Sequence, residues 1–184
     1  MEQLEDKTSK RIKAIAGNGM VAALYYGLTM LFMLVPAISQ FGPIQCRLSE
    51  MLVLLAFFRP EFTIGLTIGC FFSNLTGLAM GMTIPLDLLF GTLATLIACL
   101  FEAYLSPRLW VAAIYPVVFN GFIVGLELYF LLNDTGLPWY ACVGFVALGE
   151  LIAIAVGYIL FFILMRNEAA MRAIGATRHL DVRC

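Results

Sequence analysis

Residues 138–165 read PWYACVGFVALGELIAIAVGYILFFILM, an apolar run broken by a single charged side chain, Glu150. A helix rises about 1.5 Å per residue, so roughly 20 such residues cross the ~30 Å hydrocarbon core of a bilayer. In lipid the backbone must satisfy its own hydrogen bonds. The strict alternation of a barrel strand is absent, which leaves the helix. This stretch therefore predicts an all-α membrane protein, and the rest of the chain can be read outward from it.

Turn and breaker residues divide the chain into six apolar pieces. The first runs from Ile12 to Val35 and stops at Pro36. The second, Ile44 to Phe58, ends at Arg59-Pro60 and is short for a span; it is expected to be tilted, partly re-entrant or buried by its neighbours. The others run from Glu61 to Met80, Leu86 to Leu105, Arg108 to Leu132 and Pro138 to Met165. Composition agrees: 62% of residues are hydrophobic and 12% charged, against about half and about a quarter in soluble domains. The expected architecture is one domain: a cytoplasmic segment (1–11), a six-helix bundle (12–166) and a cytoplasmic tail (167–184) read as a frayed extension of the last helix. The first piece is too long for a cleaved leader and is followed by others like it.

Charge sets the expected orientation. If the N-terminus is inside, Lys7, Lys10, Arg11, Lys13, Arg59, Arg108, Arg166, Arg172, Arg178 and Arg183 are all cytoplasmic, and Arg47 alone is outside. The positive-inside rule then selects an N-in, C-in orientation. A net charge of −1 gives no footprint for a nucleic acid partner.

The chemistry of many enzymes is missing. The lone histidine, His179, lies in the tail and reads as solvated, so no metal cluster can be built around it. The five cysteines show no CxxC spacing; Cys70 and Cys99 read as small buried hydrophobes, and Cys46 and Cys142 both approach the outer face, where a disulfide is conceivable. There is no phosphate-binding G-x-x-x-x-G-K-[ST] loop. No catalytic residue, cofactor or metal is expected, and any ATP-driven step must use another subunit.

Polar residues inside the spans point to a binding site. Asn74, Asp87, Asn120, Glu127 and Glu150 fall between mid-membrane and the outer surface, with Arg47 and Glu50 on the outer turn of the second piece. A charged side chain in the membrane costs about 2.5–3.5 kcal/mol on insertion scales, so such groups line cavities or pair. Asn120 and Glu127 are two turns apart and share a face. A pocket opening outward is the expectation. Other readings stay open: a first-turn acid at Asp87, interhelical hydrogen bonds at Asn74 and Asn120, a headgroup contact for Glu127, a structural role for Glu150, and mutual pairing of Arg47 with Glu50. Glu61 reads as a helix-start acid and Glu102 as interfacial.

The first span carries small residues at Gly19, Ala23 and Gly27, with Ala14, Asn18 and Ala22 beside them; Gly149, Ala153 and Gly157 repeat the pattern in the last span. Such stripes let another helix approach closely, whether inside this chain or in a partner.

Particular motifs resemble the QueT family. They are the run from Phe41 through Gly-Pro-Ile-Gln-Cys-Arg-Leu-Ser to Glu50, then Phe57-Phe-Arg-Pro-Glu61, then Phe90-Gly-Thr-Leu-Ala-Thr-Leu96, with Asn120…Glu127 and Gly149-Glu150. The resemblance covers roughly residues 14 to 165. That family comprises substrate-binding S-components of energy-coupling factor (ECF) transporters, assigned to queuosine precursors. The resemblance implies capture of a 7-deazaguanine, such as 7-aminomethyl-7-deazaguanine or queuine, from outside. It also implies docking through the first helix (Gly19, Ala22, Ala23, Gly27) on a coupling subunit driven by two ATPases. The implied substrate-binding residues are Arg47, Glu50, Asn74, Asp87, Asn120, Glu127 and Glu150, with Phe41, Tyr115, Phe119 and Trp139 available to stack on the ring. Two departures are visible: Cys46 stands where a larger apolar residue is expected, and the expected Ala-xxx-Ala stripe is here Gly19-xxx-Ala23. Competing readings are an S-component or small permease for another vitamin, a membrane enzyme acting on lipid or isoprenoid substrates, and a membrane scaffold.

Overall fold

The structure, a computed structural model, describes residues 2–33, 46–131 and 136–176. Among these, every regular element is helical: α1 (Glu2–Met33), a 3-10 segment (Leu48–Leu52), α2 (Leu55–Phe58), α3 (Phe62–Ala79), α4 (Pro85–Leu105), α5 (Leu109–Ala112), α6 (Ile114–Leu131), α7 (Trp139–Leu164) and α8 (Glu168–Ile174). Five stretches are long and apolar enough to cross a membrane: Arg11–Met33, Phe62–Ala79, Pro85–Leu105, Leu109–Leu131 and Trp139–Leu164. They leave large apolar side chains outside the protein; Ile15 is 73% exposed and Ile159 61%. In water such surfaces would aggregate, whereas in a bilayer they are solvated by acyl chains.

The short second piece behaves differently. Leu48–Phe58 is a 3-10 segment followed by one turn of α-helix, and its residues from Val53 to Phe58 are all buried. It lies against α1, α4 and α7, and its side chains join Tyr25, Phe62, Leu66, Cys70, Ile154 and Phe161 in one apolar core. This piece is therefore sheltered by protein rather than lipid, the condition under which irregular backbone is tolerated at membrane depth. Around it the long helices follow in the order α1, α3, α4, α6, α7, each packed on the next.

Small residues set how closely these helices meet. A Cβ built on Gly65 would fall 2.5 Å from the Asn18 carbonyl oxygen, and one on Gly69 would fall 2.9 Å from that of Ala22. Asn18 Oδ1 also accepts the Gly65 N–H at 2.7 Å. Thus Asn18 and Ala22, from the second small stripe of α1, form the seam with α3. Gly125 and Gly157 play the same part against Val143 and Met51. Without a hydrophobic drive between helices in lipid, such close fit is what holds a bundle together.

Helix ends explain the boundaries. Pro85 occupies the first turn of α4, where its missing N–H costs nothing. The fifth piece is split at Ala113 into α5 and α6. The tail is not frayed as expected through residue 176. Asn167 Oδ1 caps α8 by accepting the N–H groups of Ala169 and Ala170, Gly175 closes it at φ 68°, and Met171 is buried in the core. A cap at each end and an apolar anchor are enough to fix this short helix.

Candidate functional site

Most of the predicted polar residues gather toward the end of the bundle where α3 finishes and α4 begins. Arg47, just before the 3-10 segment, lies with Nη2 3.7 Å from Asp87 Oδ1 in the first turn of α4, and both side chains are buried. Asn74 of α3 reaches the same place. A Cβ on Gly91 would stand 2.9 Å from Asn74 Nδ2, 3.4 Å from Arg47 Nη1 and 3.6 Å from Asp87 Oδ1. A guanidinium, an amide and a carboxylate from three elements thus converge over the bare backbone of Gly91. Asp87 is both a first-turn acid and a member of this cluster.

Glu50 lies one turn along the 3-10 segment and faces a different set. Its Oε1 accepts from the Tyr25 hydroxyl of α1 and from Thr95 Oγ1 at 3.2 Å. Thr95 Oγ1 is 3.3 Å from Cys70 Sγ, and Asn74 Nδ2 donates to that sulfur at 3.6 Å. Beside it, Thr29 Oγ1 donates to Ser49 Oγ at 2.8 Å, and Ser73 Oγ to Thr29 Oγ1 at 3.2 Å. These hydroxyls stitch α1, the 3-10 segment, α3 and α4 together. Arg47 and Glu50, read as a pair, attract each other electrostatically, and each also has a partner beyond the segment, Asp87 for Arg47 and Tyr25 and Thr95 for Glu50. A 3-10 turn advances three residues per turn and brings positions i and i+3 onto one face, so Arg47 and Glu50 stay close enough to attract each other.

On the facing wall, Asn120 Nδ2 of α6 donates to Glu150 Oε1 of α7 at 3.2 Å. Two turns further along α6, Glu127 is 7% exposed, and neither carboxylate oxygen has a hydrogen-bond partner among the described residues. It lines a cavity of about 500 Å³ between α4 and α6 with Leu86, Phe90, Ile123, Leu126, Phe130 and Leu131. Four carboxyl groups (Glu50, Asp87, Glu127, Glu150) surround one guanidinium, that of Arg47. Such a set suits a ligand rich in N–H donors or carrying positive charge, because a buried carboxylate needs donors in place of lost water.

Other expectations sort as follows. Gly19, Ala23 and Gly27 are exposed, and nothing stands within 4 Å of a Cβ at Gly19 or Gly27; this stripe faces away from the bundle. Ala22 belongs to the internal seam instead. Gly149, Ala153 and Gly157 are buried within the chain. Glu102, read as interfacial, is completely buried, on a helix that packs against α2, α3, α5 and α6. Tyr115 and Phe119 pack on Phe101 of α4, toward the opposite end from Asp87. Trp139 is half exposed beside Tyr140. Glu61 is exposed and pairs with Arg59 at 2.7 Å. Cys46, Cys70, Cys99 and Cys142 are all free thiols, so Cys46 and Cys142 do not pair. Phe41, His179 and Cys184 lie outside the described residues.

Sequence reasoning missed Tyr25, and it met Gly91 and Thr95 only inside the Phe90–Leu96 motif, without a role for either. By composition alone an aromatic, a threonine and a glycine within apolar helices point to no chemistry; the neighbour each meets in space gives it a role.

Comparison with known proteins adds independent information. The family described as QueT transporter matches residues 15–166. The queuosine precursor transporter QueT of Lactococcus lactis subsp. cremoris (strain MG1363) is 33% identical, with 75% of this chain and 83% of that protein covered. No solved structure matches the chain.

Proposed function

The chain belongs to the QueT transporter family, and from that premise we propose that it is the substrate-capture subunit of an ECF-type importer for a 7-deazaguanine. As a member of a transporter family it is a multi-pass protein of the bacterial cell membrane and not an enzyme. In the proposed arrangement six segments embed the protein with both termini inside, the short second piece counting as the sixth. The substrate enters from the outer side at the Asp87 end. A coupling subunit and two ATPases then deliver it inward.

The observation that carries the reading is the collection of Arg47, Asn74, Asp87, Asn120, Glu127 and Glu150, all buried in a chain that is 62% hydrophobic. A 7-deazaguanine presents a ring N–H and an exocyclic amine as adjacent donors, which one carboxylate can accept together. Glu150, held by Asn120, suits that bidentate role; the amide next to it serves the neighbouring carbonyl. The basic residues Arg59, Arg108 and Arg166 all fall where α3 begins, α4 ends and α7 ends, which supports the N-in, C-in orientation through the positive-inside rule. The exposed Gly19-Ala23-Gly27 stripe supports docking through α1.

The test is calorimetry on the purified chain alone. It should bind a 7-deazaguanine without ATP or partners, and Glu150→Gln should weaken binding about ten- to a hundredfold, the loss of one charge-assisted hydrogen bond. Absence of binding by the wild type, or unchanged affinity in the variant, would contradict the capture role or the assignment of Glu150 respectively. Liposomes holding only this chain should not take up substrate at the rate of the full complex.

A further inference from the structure

Glu127 differs from every other acid of the site in having both oxygens unpartnered among the described residues while 93% of the residue is buried. Asn120 serves Glu150, Tyr25 and Thr95 serve Glu50, and Arg47 stands beside Asp87. Glu127 instead borders the 500 Å³ cavity between α4 and α6, whose other lining residues are all apolar, Phe90 and Phe130 among them. A carboxylate in such surroundings lacks hydrogen-bond donors among the described residues. The compensation it calls for is a cation of modest size with several N–H donors, and aromatic faces nearby favour that same charge.

Building on the capture role above, we propose that Glu127 is the subsite for the cationic arm of the substrate, the alkylammonium carried on the 7-substituent, and that the protein thereby selects aminomethyl-type 7-deazaguanines over neutral ones. Glu127 lies two helical turns from Asn120 on the same helix, about 10.5 Å along the axis at 1.5 Å per residue. That leaves the Asn120–Glu150 pair to the ring and Glu127 to whatever extends from it. A neutral substituent such as a nitrile offers no donor, so the carboxylate stays uncompensated and binding is weaker.

An ammonium could also come from a phosphatidylethanolamine headgroup, since the cavity borders lipid-facing residues such as Phe130, 74% exposed. The experiment separates the two sources. The affinities of 7-aminomethyl-7-deazaguanine and 7-cyano-7-deazaguanine are measured by calorimetry for the wild type and for Glu127→Gln, in detergent and again with added phosphatidylethanolamine. The expected result is a ten- to hundredfold loss for the aminomethyl compound in the variant, a change below about threefold for the cyano compound, and no competition by the lipid. Equal losses for both compounds, or none for either, would overturn the assignment while leaving the capture role standing. Competition by the lipid that vanishes in Glu127→Gln would give the carboxylate to the headgroup and overturn it as well. Failure of the wild type to bind either compound would refute the capture role, and the subsite with it.

Discussion

Glu50 and Glu127 are both buried carboxylates in the same bundle, yet their surroundings are opposite. Glu50 sits on the closed side, where α1, the short second piece and α3 meet. There Tyr25 and Thr95 donate to it, and Thr29, Ser49 and Ser73 form a second chain of hydroxyls. Glu127 sits on the open side, between α4 and α6, facing a cavity with no donor to either oxygen among the described residues. On the proposed reading, the difference separates a polar group that holds the fold from one that awaits a ligand. A buried acid with donors from neighbouring helices is accounted for by the architecture; one without them calls for a separate explanation, which the proposal above finds in a ligand.

Substitutions on the two sides should therefore fail in different ways. The largest effect is expected from Gly65→Leu on the closed side. Its Cβ would meet the Asn18 backbone at 2.5 Å, and backbone cannot rotate away. Overpacking of this kind should cost about 3 kcal/mol, seen as loss of monodisperse protein in detergent. Next is Tyr25→Phe, which removes one donor from Glu50. It should lower thermal stability by about 1–2 kcal/mol, and unchanged melting would mean that the hydroxyl network is incidental. Glu127→Gln should behave in the opposite sense: melting of the ligand-free protein unchanged or raised, because the neutral amide is easier to bury. A clear fall in stability would erase the contrast between the two acids.

The smallest effect on the isolated protein is expected at Ala23. Ala23→Leu lies on the exposed face of α1 and should change stability by less than about 0.5 kcal/mol while preventing assembly with the coupling subunit. The same change at Ala22, in the seam with Gly69, should damage folding. Equal behaviour at the two neighbouring positions would remove the distinction between the outer and inner faces of this helix.

The spans themselves were legible because lipid imposes one length and one composition on them. Phe62–Ala79, Pro85–Leu105 and Trp139–Leu164 begin and end within a residue or so of the breakers that announced them. The second piece was legible as an anomaly, too short to span unaided, but its 3-10 turn, which brings Arg47 and Glu50 onto one face, was not. Burial of the polar residues was likewise readable, since each interrupts an apolar run. Their partners were not, because Asp87 and Arg47 are forty residues apart in sequence and meet only where Gly91 leaves space. Glu102 misled for a related reason: its place near a helix end suggests an interface, but the packing of neighbouring elements on α4 leaves it fully buried. The ordered α8 was hidden in a polar tail whose caps, Asn167 and Gly175, act only once Met171 has found the core.

The most direct test of the central claim is the identity of what the protein holds. The wild-type chain, purified from cells supplied with 7-aminomethyl-7-deazaguanine and then denatured, should release that base stoichiometrically by mass spectrometry, and Glu150→Gln should release far less. Recovery of a different vitamin, or of lipid alone, from well-folded wild-type protein would contradict the capture of a 7-deazaguanine.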